Sequence, residues 1–334
     1  MLTKTWRDIL EIAQRAPSPH NVQPWKVRIT SEETCDVYID IARTLPKEDT
    51  TGSFIISGMV MYLETMRYAA QTYQQNLLYE LKLNEVANKS GLQLFATVTI
   101  QSSPSIIPEF KRGVILQRRT SRLPYAPKAI ATADETVLVA LAKSYGHTYS
   151  YTADKPIIEK ALSQNIKALF SDFNSQSYHD EIVSWFRFTD QSSLQKRDGL
   201  DYRCMRIPAT EYYLSARFPF ILKLPILSSL FAKRYRMRLG ATPCIAWLSG
   251  KFWEPEDAVI AGKLLIRYWL ELTRMGLYLH PFGNLITNKE ARSEFEALTD
   301  STDVWFVIRI GYTEEPPESQ RLPLGQILIK ETTL

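Results

Sequence analysis

The chain has 334 residues, of which 45% are hydrophobic and 23% charged, with a net charge of +4. That length suits two domains or one domain of two halves with an ordinary globular composition, and the small, dispersed positive charge excludes a nucleic-acid partner. Cys35, Cys204, Cys244 and the four histidines lack metal-ligand spacing, and an odd cysteine count makes a poor disulfide framework, so the expected compartment is a reducing cytoplasm.

The opening "MLTKTWRDILEIAQ" carries acidic residues and helical periodicity without a long apolar run, so it reads as a helix over Thr5–Arg15 and not as a signal peptide. "WKVRIT" and "CDVYIDI" alternate and predict a paired hairpin. A largely apolar helix is expected over Ser53–Gln75, a strand over Leu92–Gln101 and a helix over Lys111–Gln117. A second unit starts near Arg118. It reads as a helix with an apolar stripe over Val137–Leu141, a strand in "HTYSYTAD", and helices over Ile157–Phe173 and His179–Phe186. After these come a strand in "TPCIAWLSG", a helix over Pro255–Met275 ended by Gly276, a short helix in "SEFEAL" and a buried strand in "VWFVIRIGY".

Residues 189–239 read as irregular and broken by proline. Within them Tyr213–Leu239 is apolar at its centre, interrupted by Pro219, Lys223 and Pro225, and flanked by Arg217 and the cluster Lys233, Arg234, Arg236 and Arg238. That is too broken to span a membrane; a buried helix pair, a lid over a pocket and an interfacial membrane contact remain open. "SGMVMYLETMRYAAQ" from Ser57 and "AGKLLIRYWLELTRM" from Ala261 resemble each other and suggest an internal repeat. Helices alternating with a few hairpin-linked strands suggest an α+β fold.

Four stretches carry candidate chemistry. In "PSPHN" two prolines forbid helix interior, leaving Ser18, His20, Asn21 and Gln23 on a loop that is either a capped turn or a ligand-binding one. "QRRTSR" places three arginines and two hydroxyls together, which suits a phosphate or a solvated turn. "GLYLHPFGNL" reads as a tight turn in which Gly283 lets a flat ligand approach the backbone. "IGYTEEPPESQRLPL" adds Arg321 in a polar tail.

Together and in this order, "APSPHNVQPWKV", "QRRTSRLPY", "GLYLHPFGN" and "VIRIGYTEEPPESQRLPLGQIL" resemble the motifs of the nitroreductase superfamily of flavin-binding oxidoreductases. "DIARTLPKEDTTGSFIISGMVMYLETMRYAA" is similar to its Acg-like branch, in which two nitroreductase-type halves are fused in one chain. The resemblance implies an antiparallel or mixed sheet flanked by helices in two pseudo-symmetric halves, residues 1–115 and 116–334, the second with a lid-like insertion at about 189–239. It implies one FMN, its phosphate held by Arg118, Thr120 and Arg122 with charge from Arg321. Ser18, Pro19 and Asn21 would line the flavin, and Gly283 and Asn284 would offer backbone N–H groups near its ring. Hydride would pass from NAD(P)H to a small acceptor such as a nitro compound or quinone without a protein nucleophile, His20 being either a proton donor or a turn residue. The alternative is a protein that sequesters FMN beneath a closed lid. A fused pair of halves implies a monomer or a weak dimer.

Overall fold

The computed structural model describes residues 2–83, 91–218 and 224–329. Helix α1 (Lys4–Ala13) starts where the Thr3 hydroxyl accepts the Trp6 N–H, and it buries the stripe Trp6, Ile9, Leu10, Ile12 and Ala13. The hairpin β1 (Trp25–Ile29) and β2 (Thr34–Asp40) follows, with Trp25 opposite Ile39 and Val27 opposite Val37. Then come α2 (Ser53–Gln71), β3 (Gln75–Leu81), β4 (Leu92–Ser102) and α3 (Arg112–Gln117). The four strands form an antiparallel sheet in the order β1-β2-β4-β3.

The remainder runs α4 (Thr132–Ser144), β5 (Thr148–Thr152), α5 (Lys155–Asn174), α6 (Gln176–Ser184), β6 (Phe186–Arg187), α7 (Asp190–Lys196), β7 (Leu200–Asp201), α8 (Tyr202–Met205), α9 (Ala209–Arg217) and α10 (Pro225–Leu239). It ends in β8 (Cys244–Ser249), α11 (Pro255–Arg274), β9 (Tyr278–Pro281), α12 (Asn284–Thr287), α13 (Lys289–Thr299), β10 (Val304–Gly311) and α14 (Leu324–Ile327). A second antiparallel sheet has the order β5-β8-β10-β9, so the chain carries two four-stranded sheets, one drawn from residues 25–102 and the other from residues 148–311.

The long apolar helices α2 and α11 cross between the sheets, and they contain the two segments that resemble each other in sequence. A Cβ on Gly262 would lie 2.7 Å from the Ser57 carbonyl oxygen and 2.9 Å from Val60 Cβ, so glycine is what allows the two backbones to meet. The C-terminal tail then returns to the first sheet, where Ile329 N–H donates to the Val27 carbonyl at 2.8 Å.

Several expectations are corrected. Helix α2 stops at Gln71, and a strand absent from the sequence reading begins at Gln75, after Gln74 turns the chain at φ 56°. On α4 the inward residues are Leu138 and Ala142, whereas Val137 and Val139 are exposed. The described part of residues 189–239 is a series of short helices rather than irregular chain; α7 starts in a capping box between Thr189 and Ser192. Together with α6 and β6 these helices form a small core of Ile182, Phe186, Tyr212 and Ala216. The presumed tight turn at "GLYLHPFGNL" is edge strand β9 followed by α12, and "SEFEAL" belongs to the longer α13. Among the described residues no helix is long and apolar enough to cross a membrane; Pro219 and Lys223 lie outside them.

Candidate functional site

The "PSPHN" loop is held by hydrogen bonds. His20, Asn21 and Gln23 have φ of 44°, 55° and 52°, a left-handed conformation that costs about 1–2 kcal/mol per ordinary residue and persists only where its surroundings fix it. The Ser18 hydroxyl oxygen accepts the Gln23 N–H at 3.0 Å. The Asn21 amide donates to the carbonyls of Gly199 at 3.2 Å and Gln320 at 3.1 Å, and its oxygen accepts from Arg321 at 2.9 Å. Gln23 donates to the Arg197 carbonyl at 3.0 Å and accepts the Leu322 N–H at 2.8 Å. The loop thereby clasps both the C-terminal tail and residues 197–199. Beneath it, a Cβ on Gly58 would lie 3.3 Å from Pro19 Cδ.

One end of the site is strongly cationic. Arg118 donates from Nη2 to the Arg15 carbonyl at 2.8 Å and lies 4.6 Å over the Trp269 ring, yet its buried Nη1 has no hydrogen-bond partner. Arg321 is spent on carbonyls and hydroxyls of its surroundings, including Gln14 at 2.6 Å and Ser319 Oγ at 2.7 Å. Burial, then the Arg321 and Arg15 charges, hold the Arg118 guanidinium well below its ordinary pKa; burial and Arg15 press Arg321 down to about 9. Of the three, Arg15 forms an ion pair with Glu318. Buried like charges with a free donor are poised for an anion, which would relieve the repulsion and fill the open valence. Arg122 donates to the Cys204 carbonyl at 3.3 Å, and Thr120 bridges to Leu279 of β9.

The middle of the site is built by β9 and α12. Arg309, fully buried in β10, donates from Nε to His280 Nδ1 at 3.1 Å and from Nη2 to the Leu123 carbonyl at 3.0 Å. Accepting at Nδ1 places the single proton of a neutral His280 on Nε2. Burial, with Arg122 and Arg309 nearby, holds that imidazole well below its usual pKa, so it is a neutral donor. A Cβ on Gly283 would meet nothing within 4 Å, leaving open space above that backbone. The Asn284 side chain is occupied, donating to Asp172 at 2.8 Å.

The far wall is acidic and aromatic. His20 Nε2 lies 3.0 Å from Glu48 Oε2, and Glu181 accepts the backbone N–H groups of Lys47 and Glu48. Phe170 and Phe173 of α5, Tyr212 of α9 and Phe231 of α10 complete it.

These surfaces enclose one cavity of about 360 Å³, a size suited to a small-molecule site. Ser18, Pro19, His20, Asn21, Arg118, Thr120, Arg122, Gly283, Asn284 and Arg321 all line it. The side chains of Asn21 and Arg321 serve chiefly to fasten loop to tail. Glu48, Asp49, Trp269, His280 and Tyr212 line it too and were missed from the sequence. An arginine inside the apolar run "VWFVIRIGY" was the available signal for His280, because a buried guanidinium requires an acceptor.

No protein-family model matches the chain. It is 24% identical over 306 residues to the Probable NAD(P)H nitroreductase PigM of Serratia sp. (strain ATCC 39006), covering 86% of this chain and 82% of that protein. It is 22% identical over 332 residues to a Mycobacterium tuberculosis (strain CDC 1551 / Oshkosh) protein provisionally named NAD(P)H nitroreductase acg, covering 97% of this chain and 95% of the relative. The chain is similar to both over most of its length. Among solved structures, a nitroreductase with bound FMN from Bacteroides fragilis NCTC 9343 matches 66% of this chain and 95% of its own, with 16% identity and a TM-score of 0.34.

Proposed function

We propose that the chain binds FMN in this cavity and passes hydride from NAD(P)H to a small organic acceptor. The observation that carries the reading is the pair of buried guanidiniums at one end, Arg118 and Arg321, with the Arg118 Nη1 unpartnered. A flavin phosphate suits that end, and the open backbone at Gly283 leaves room for a flat ring. The relatives' names favour the same activity.

The cofactor supplies hydride chemistry when bound. The chain's own residues do the rest. Arg118 and Arg122 neutralise the phosphate, and Thr120 offers a hydroxyl beside them. The neutral His280 donates a hydrogen bond within the cavity without adding charge, and the aromatic wall excludes water. Arg118→Ala with Arg122→Ala is expected to abolish flavin retention, measured by absorbance near 450 nm (about the region where oxidised flavin absorbs); unchanged colour and affinity would refute the assignment.

A second reading, storage of FMN without turnover, is favoured by the clasp of Asn21 and Gln23 on residues 197–199 and by Arg122 on Cys204, which hold α8 over the cavity. Stopped-flow reduction by NADH and NADPH separates them: absent bleaching at saturating nucleotide selects storage.

A further inference from the structure

The cavity lining also holds a feature that hydride transfer does not use. His20 is forced into a left-handed turn at φ 44°, and this places its ring against Glu48, Nε2 to Oε2 at 3.0 Å, at the cavity lining. Its other nitrogen, Nδ1, is buried without a hydrogen-bond partner. A buried polar nitrogen without a partner is the exception in a folded protein and calls for an explanation. The backbone at Glu48 is itself fixed by Glu181, whose carboxylate accepts the N–H groups of Lys47 and Glu48.

We propose that His20 and Glu48 form a proton-delivering pair for an oxygen-bearing acceptor, such as a quinone, reduced in this cavity. The proposal rests on the oxidoreductase reading above. The acceptor takes the hydride that the nicotinamide donor gives up and one further proton. One N–H bond of the imidazolium breaks, one O–H bond forms on the acceptor oxygen, and the neutral imidazole regains its proton from solvent. The balance is NAD(P)H plus quinone plus a proton, giving NAD(P)⁺ plus hydroquinone. The charges that face His20 are Glu48 and Glu181, which favour the imidazolium, and Arg122, which opposes it; burial also opposes it, and the net effect raises the imidazole above its ordinary pKa.

The test uses the full chain and two variants. His20→Asn keeps a residue that accepts a left-handed backbone and removes the imidazole; Glu48→Gln removes the charge and keeps the shape. Turnover is measured with a quinone, which needs the proton, and with ferricyanide, which takes one electron and no proton. His20→Asn is expected to slow quinone turnover by about 100-fold and leave ferricyanide turnover unchanged. Glu48→Gln is expected to move the alkaline limb of the quinone profile to lower pH, and to lower the His20 titration midpoint seen by NMR on flavin-free protein. Equal losses with both acceptors, no loss with either, or an unmoved NMR midpoint overturns the pair. Wild-type protein that fails to bleach with NADH or NADPH instead defeats the oxidoreductase reading, and the NMR titration still decides whether the pair exists.

Discussion

Asn21 Oδ1 accepts a hydrogen bond of 2.9 Å from Arg321 Nη1 across 300 positions of sequence. The same amide donates to Gly199 and Gln320, so one side chain joins the first loop, the residues before α8 and the C-terminal tail. Asn21→Ala is expected to lower unfolding stability by about 3 kcal/mol, through one lost charge-assisted bond, two lost amide–carbonyl bonds and a left-handed backbone that alanine resists. Asn21→Gly removes the same bonds without the backbone penalty and is expected to cost about 1 kcal/mol less. Urea unfolding of the two variants measures both parts; equal losses would show that backbone strain plays no part.

The cationic end makes a prediction about ligand choice. Riboflavin lacks the phosphate that would complete Arg118. Two charge-assisted hydrogen bonds at about 1.5–3 kcal/mol each correspond to at least about 100-fold weaker binding of riboflavin than of FMN. Fluorescence titration at two salt concentrations checks this, and the gap should narrow as salt rises, because the phosphate contact is ionic.

Two glycines should respond in opposite ways. Gly262→Ala drives a Cβ to 2.7 Å from the Ser57 carbonyl oxygen and is expected to destabilise by about 1–3 kcal/mol. Gly283 has helical φ and ψ with open space around its Cα, so Gly283→Ala should leave the stability of flavin-free protein within about 0.5 kcal/mol. It should nonetheless weaken FMN binding, since the added methyl stands where the ring is proposed to lie. A thermal melt and a flavin titration on each variant separate packing from ligand contact.

Asp49 gives a pH prediction. Its Oδ2 accepts the Ile55 N–H at 2.8 Å while Oδ1 is buried without a hydrogen-bond partner, and burial pushes the carboxyl up to about 6. The folded state therefore holds this proton more tightly than the unfolded chain. Its contribution is full below the ordinary carboxyl value and is lost as pH rises to about 6. The loss is about 3 kcal/mol at 1.4 kcal/mol per pH unit. Asp49→Asn keeps an oxygen for Ile55 and has no charge to bury, so its stability should fall less between pH 4 and 7. Parallel slopes for the two proteins would contradict this.

Much of the fold was legible because local chemistry and tertiary need coincide. The β1–β2 hairpin alternates buried and half-buried residues along β2, and Pro255–Arg274 is closed by a left-handed glycine at Gly276. Strand β3 was hidden because the stop after α2 uses Gln74 in a left-handed turn, with no glycine or proline to mark it. Strand β9 was hidden by Pro281, tolerated there because β9 is an edge strand. The loop and arginine motifs were readable as residue types. The roles of Glu48 and His280 were not, since each depends on a partner, His20 or Arg309, brought by folding from 28 or 29 positions away.

The crossing of α2 and α11 has a consequence for how this molecule can change. If its two sides came from identical chains, any substitution at the seam would appear twice and be judged on both appearances. Here Gly262 admits the neighbouring backbone, whereas Gly58 faces Pro19 and supports the ligand-side loop. Because one chain encodes both sides of the seam, a substitution at Gly58 and one at Gly262 are each felt once and in different surroundings.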